Sequence, residues 1–174
     1  MRASRPWLRK LARVGHVATS VGWLGAVATV LVLAVAGMAS ADPQVVRAAY
    51  LTMEMVGWYA LVPMSVASLL TGLVSAFISP WGLLRHYWVL FKFVLNIVAT
   101  GVLLLYMQTL GGLAAVAADE ASAVGLLRNP TALVHSVAAL LLLLAATVLA
   151  VYKPTGVTGL GRRLAVTRRP GVPG

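Results

Sequence analysis

Cysteine is absent from all 174 residues, which excludes disulfides, iron–sulfur clusters and thiolate zinc sites. Acids are almost as scarce, with four Asp and Glu, and charged residues of both signs make up 10% of the chain. So few ionised side chains cannot cover a water-soluble domain of this size. A Gly-rich phosphate loop, His-Glu-x-x-His, Gly-x-Ser-x-Gly and an acidic pair inside an apolar stretch are all missing, so the commonest hydrolase and nucleotide-binding signatures are too.

What remains is apolar and basic. Hydrophobic residues are 60% of the chain, mean hydropathy is +0.91 and the formal charge is +10. Of the 14 Lys and Arg, 12 fall in three segments: Arg2, Arg5, Arg9, Lys10 and Arg13 at the start, Arg85 and Lys92 in the middle, and Lys153, Arg162, Arg163, Arg168 and Arg169 at the end. The acids lie elsewhere, at Asp42, Glu54, Asp119 and Glu120. Basic and non-basic connections therefore alternate, as they must in a chain that crosses a bilayer four times with its cationic ends in the cytoplasm. The expected fold is all-α: a four-transmembrane-helix bundle, antiparallel up-down, N-in/C-in. The basic residues flank membrane segments with no nucleic-acid-binding module between them, which argues against nucleic acid. They suit the bilayer and its anionic lipid headgroups, at roughly 1 kcal/mol per cation near the surface. The bias to Arg over Lys beside Ala, Val, Leu and Gly points to a GC-rich bacterial genome, and so to a multi-pass protein of the bacterial cell membrane with both termini cytoplasmic.

The expected division is a basic N-terminus (1–13), a membrane domain (14–152) and a basic tail (153–174). The spans fall at about 14–38, 56–78, 88–110 and 131–152, each near the length of about 20 residues that covers the hydrocarbon. The start of span one, closing on Ala39-Ser40-Ala41, imitates a signal peptide. Its apolar run exceeds the usual signal core of about 7 to 15 residues, so the span is expected to be retained. Before span two, Asp42 is placed to cap a helix and Pro43 to take its first position. Pro63 should kink that helix. Ser68, Gly72 and Ala76 form a stripe of small residues that lets another helix approach, as do Gly15, Gly22 and Gly25 with Ala18 and Ala26 in span one. Ser79-Pro80 reads as the start of the next helix, Gly111-Gly112 as the end of span three, and Asn129-Pro130 as the start of span four. The tail, rich in Gly, Pro and Arg, should be poorly ordered at its end.

Polar residues in or near the spans are the candidates for chemistry. Histidine is the commonest metal and haem ligand. His16 lies one turn inside span one, His86 lies at that same edge, and His135 lies at the opposite one. By helical rise His16 and His135 stand roughly 20 Å apart along the normal, too far to share one haem iron, whereas His16 with His86 is feasible. Arg85, Lys92, Asn96 and Thr100 fall on one helical face, and it should face the bundle, since Lys in mid-membrane lipid costs at least about 2.5 kcal/mol. Lys92 would hold an anionic group: a propionate, a lipid phosphate or a quinone oxygen. At the other end Met38, Met53, Met55, Met107 and His135 supply thioether and imidazole donors of the kind that suit Cu(I). Glu54 could pair there with His135 or Arg128. Against these stand plain roles: interfacial histidines, a snorkelling lysine and methionines filling apolar gaps.

The stretch from Arg47 to Met107, RAAYLTMEMVGWYALVPMSVASLLTGLVSAFISPWGLLRHYWVLFKFVLNIVATGVLLLYM, with VYKPTGVTGLGRR after span four, resembles a family of uncharacterised small integral membrane proteins of actinobacterial type. That resemblance implies four helices and membrane residence, and no activity. His16 with Trp23 and Gly25, and Trp88 with Lys92, also resemble motifs of the copper-resistance protein D family and the HemJ type of protoporphyrinogen oxidase. It implies His16 as a haem ligand and Lys92 as a group near a porphyrin, while the copper reading draws on Met53, Met55, Met107 and His135.

Three function classes follow. The chain is a non-catalytic partner or lipid-associated membrane subunit, docking as a homo- or hetero-oligomer through the Ser68-Gly72-Ala76 face; or a haem- or porphyrin-associated redox protein using His16, His86 and Lys92; or a copper-handling protein.

Overall fold

The computed structural model describes residues 6–79 and 82–166. They are helical with no strand among them: α1 (Pro6–Ala39), α2 (Pro43–Val56), a π-helical turn (Gly57–Leu61), α3 (Val62–Ile78), α4 (Tyr87–Ala118), a 3₁₀ turn (Val124–Leu127), α5 (Thr131–Tyr152) and α6 (Gly159–Val166). The π turn joins α2 and α3 into one helix, so four helices are long and apolar enough to cross a membrane: Pro6–Ala39, Pro43–Ile78, Tyr87–Ala118 and Val124–Tyr152. This is the build of a small integral membrane protein.

Local chemistry explains these boundaries. Asp42 caps α2 by accepting from the Gln44 N–H at 2.8 Å, with Pro43 in the first turn, as the sequence led us to expect. Pro63 carries no N–H and its ring crowds the carbonyl four residues back. The helix answers with the π turn just upstream, where the Val62 N–H reaches the Gly57 carbonyl. One inserted residue relieves the crowding while the chain stays helical. Several hydroxyls inside the apolar helices bond back to their own turns, Thr19 to Gly15 at 2.9 Å, Ser136 to Ala132 at 2.8 Å and Thr147 to Leu143 at 2.8 Å, so these do not meet hydrocarbon with a bare proton.

Two boundaries differ from the sequence reading. Span three does not stop at Gly111-Gly112, because α4 runs on to Ala118. Ala114 and Ala117 are buried there, and a Cβ at Gly111 would stand 3.4 Å from Glu54 Oε1, so that glycine makes room for a neighbour within the helix. Ser79 closes α3 in an extended conformation, and the next helix begins at Tyr87; Pro80 lies outside the described residues. The expected disorder at the end of the tail also falls outside them, but its first part is placed. Thr158 donates to the Arg85 carbonyl through its N–H (2.9 Å) and to the Leu84 carbonyl through its hydroxyl (2.6 Å), and His86 and Val157 form a single antiparallel bridge. The segment after α5 is thereby tied to the connection before α4.

The core follows a 3.6-residue period. On α1 it takes Trp23, Val27, Val30, Ala34 and Gly37, and on α2 Val46, Ala49, Tyr50 and Met53. All of these but Gly37 and Ala49 join Leu61, Met107, Leu110, Leu127 and Ala132 in one cluster at the end of the bundle where α2 begins and α4 stops. At the other end α1 lies on α3, and α5 has no buried residue after Ser136.

A cationic groove as candidate functional site

Lys92 sits about one and a half turns into α4, partly buried, with half-buried Asn96 and buried Thr100 following on the same face. Arg85, the first member of the expected stripe, precedes the helix and lies in the connection. The inward face therefore starts at Lys92. Asn96 Oδ1 and Thr100 Oγ1 are buried without a hydrogen-bond partner among the described residues. Such atoms are rare, because desolvation without a partner costs about 1–3 kcal/mol each.

His16 faces this stripe from α1. Its Nδ1 lies 3.1 Å from the Ser68 carbonyl and 3.3 Å from Thr71 Oγ1. A carbonyl only accepts, so Nδ1 carries the proton in that bond and Nε2 keeps its lone pair. No hydrogen bond occupies Nε2 among the described residues. Three more contacts continue the seam between α1 and α3: Ser20 with Ser68 (2.9 Å), Thr19 with Thr71 (3.1 Å), and the Ser75 hydroxyl donating to the Ala12 carbonyl (3.1 Å). Small residues permit this closeness. A Cβ at Gly72 would stand 3.0 Å from His16 Cε1, and one at Gly22 would stand 3.1 Å from Met64 Sδ. The Ser68-Gly72-Ala76 face is thus filled by α1, with Ser68 and Ala76 buried, and is not free to dock a second protein.

Three cavities meet at His16 and Lys92. One of about 70 Å³ holds both beside Gly72 and Asn96. A groove of about 720 Å³ adds Arg9, Lys10, Arg13, Trp88 and Lys153. A third, of about 230 Å³, leads from them between α1 and α5 past Val17, Leu24 and Ala146. Five cations thus line one groove. No side-chain carboxylate faces Lys92, Arg9, Lys10 or Arg13 among the described residues, because the four acids are placed at the other end: Asp42 caps α2, Glu54 abuts Gly111, and Asp119 and Glu120 follow α4.

Other candidates are dispersed. His86 is the N-cap residue of α4 and lines none of the cavities that hold His16. His135 bonds through Nδ1 to the Thr131 carbonyl (2.8 Å), stacks on Tyr106 at 4.1 Å between ring centroids, and lines an apolar cavity of about 260 Å³ that does not include His16 or Lys92. Met53 and Met107 are buried in the core whereas Met55 is 56% exposed on the outer face, so the four copper candidates do not converge. Met107 instead fills the space beside Gly57, where a Cβ would meet its Sδ at 2.7 Å. Among the described residues no three His, Asp or Glu side chains gather at one point.

Of the two cations outside the basic segments, the sequence reading passed over Arg47 and took Arg128 only as a partner for Glu54. Both cap helix C-termini, where carbonyls lack partners and the helix dipole favours positive charge. Arg47 donates to the carbonyls of Val116, Ala117, Asp119, Glu120 and Ser122 at 2.6–3.3 Å, closing α4. Arg128 donates to those of Met38 and Ser40, each at 2.9 Å, closing α1, and so does not pair with Glu54. Only their isolation from the other basic residues marked them.

Comparison with protein-family models, curated proteins and solved structures found no match for this chain.

Proposed function

We propose that this is a lipid-binding protein of the cell membrane, holding the anionic headgroup of a lipid in the groove around Lys92. One observation carries the reading: Lys92, Arg9, Lys10 and Arg13 line a common groove while every side-chain carboxylate is at the far end. A partly buried ammonium costs several kcal/mol unless a counter-charge stabilises it. Among the described residues no side-chain carboxylate lies beside Lys92, so the ligand supplies the counter-charge. Lys92 is the inner contact, and Arg9, Lys10 and Arg13 form the cationic rim at the depth of lipid phosphates. The same asymmetry supports an antiparallel up-down bundle with both termini in the cytoplasm, because the cationic end is the one that stays inside, where anionic headgroups also concentrate. On this reading the protein acts by retaining or presenting a lipid, alone or as a subunit of a larger assembly.

The test is chemical. The full chain, purified in a mild detergent, is analysed for co-purified phospholipid phosphorus. Retention of anionic lipid that falls severalfold in Lys92→Met supports the reading. Equal retention by both proteins refutes it.

A second reading is favoured by the free Nε2 of His16. With Nδ1–H held by a carbonyl, that nitrogen has the tautomer and orientation of a metal-binding imidazole, and Lys92 lies across the same cavity to meet a propionate. His16 would hold a haem and Lys92 would orient it, the haem supplying one-electron chemistry when bound. His86, off the cavity, offers no second axial ligand. A Soret band in the purified protein that is lost in His16→Ala would establish this reading, and its absence after haem supplementation would end it.

A further inference from the structure

The groove around Lys92 does not stop at the headgroup level. It continues into the 230 Å³ cavity past Val17 and Ala146, and that cavity shares Trp23, Leu142 and Leu143 with the apolar one of about 260 Å³ that ends at Tyr106 and His135. The walls are α1, α4 and α5, and α5 leaves them ajar: small side chains at Ala138, Ala139 and Ala146 line the crevice, and nothing on this helix is buried after Ser136. Between Ala132 and Ala150 the crevice follows α5 for about 27 Å at 1.5 Å per residue, almost the full hydrocarbon thickness of about 30 Å.

That length discriminates among lipids. The acyl chains of an ordinary phospholipid end near the midplane, and there are two of them. A crevice of about 230 and 260 Å³ in its two parts, cationic at one end only and reaching nearly to the opposite surface, fits a single chain longer than one leaflet beneath an anionic head. We infer that the occupant is a polyprenyl phosphate, its phosphate on Lys92 and the rim cations and its isoprenoid chain threaded past Trp23 between α1, α4 and α5. This rests on the headgroup assignment above and adds the chain. Branched methyl groups repeating along an isoprenoid suit walls of alternating Ala, Val and Leu better than a smooth acyl chain does, since selectivity inside a membrane comes from packing contacts rather than from transfer out of water.

The test uses the full chain in detergent and compares four probes by competition: farnesyl monophosphate, a polyprenyl monophosphate several times longer, the long polyprenyl alcohol without phosphate, and phosphatidic acid. The long monophosphate is expected to bind at least about tenfold more tightly than any of the others, the gain coming from contacts along the slit. Ala139→Phe, which plugs the slit beyond Trp23, should bring the long monophosphate down to the level of farnesyl monophosphate and leave the latter unchanged. Equal binding of all three phosphates overturns the chain assignment while the headgroup site stands. Tightest binding of phosphatidic acid overturns it in favour of a two-chain lipid. Binding of the alcohol as tight as that of the phosphate, or of no phosphate at all, removes the headgroup site and this inference together.

Discussion

The imidazole of His16 lies against the bare backbone of Gly72, so close that a Cβ there would come within 3.0 Å of Cε1 and 3.3 Å of Nδ1. This contact holds α1 on α3 and turns His16 towards Lys92. Nδ1 also donates to the Ser68 carbonyl, so the ring cannot retreat without losing that bond. Gly72→Ala should cost about 1–3 kcal/mol as an overpacking change, and should shift the His16 ring signals in an NMR spectrum. Unaltered signals and thermal stability would show that the two helices separate freely.

Arg47 makes a second, sharper prediction. Its guanidinium serves five carbonyls in and just beyond the last turn of α4, and a hydrogen bond to a charged group is worth about 1.5–3 kcal/mol. Arg47→Ala should lower the thermal midpoint in detergent and raise hydrogen exchange across residues 115–122. Arg47→Lys should recover little, because one ammonium cannot span what a planar fork does.

The turn that Arg47 caps is sensitive to acid. The Ser122 hydroxyl and then the Ala121 N–H donate to the Asp119 carboxylate and hold its pKa below the usual carboxylate range. A lowered folded pKa means that this contribution is full above the unfolded value and is lost as pH falls through the folded one. Hydrogen exchange at Ala121 and Ser122 should therefore rise below the ordinary titration range of Asp, and Asp119→Asn should show the same exchange at neutral pH.

Met107 fills the notch at Gly57, and a Cβ there would stand 2.6 Å from its Cε. Gly57→Ala should be tolerated only by moving that flexible side chain, at about 1–3 kcal/mol, and Met107→Ala should restore the double variant towards Met107→Ala alone. Additive effects in this cycle would place the two residues out of contact.

The membrane character of the chain was legible because it depends on composition and period: long apolar runs, Asp42 and Pro43 opening α2, and acids segregated from bases. What escaped was set by tertiary partners. Gly111-Gly112 looks like a helix end in one dimension, but Glu54 packs on one of these glycines and Arg47 supports the carbonyls further on. Ser68, Gly72 and Ala76 were correctly read as a surface for close approach, yet only packing reveals that α1 occupies it. Lys92 and His16 were singled out from charge and side-chain chemistry alone, and both line the groove. His86 and Met55 were chosen on the same grounds and do not join their intended partners, since sequence spacing fixes depth better than it fixes the direction a side chain takes.

The proposed anionic-headgroup site at Lys92 is tested most directly by native mass spectrometry of the full chain with equimolar anionic phosphatidylglycerol and zwitterionic phosphatidylcholine of matched acyl chains. The account expects the anionic lipid to be held at least about tenfold more tightly, the order of one well-paired charge, with the preference largely lost in Lys92→Met and only weakened in Arg9→Gln. Equal affinity for the two lipids, or an anionic preference untouched by Lys92→Met, would contradict it.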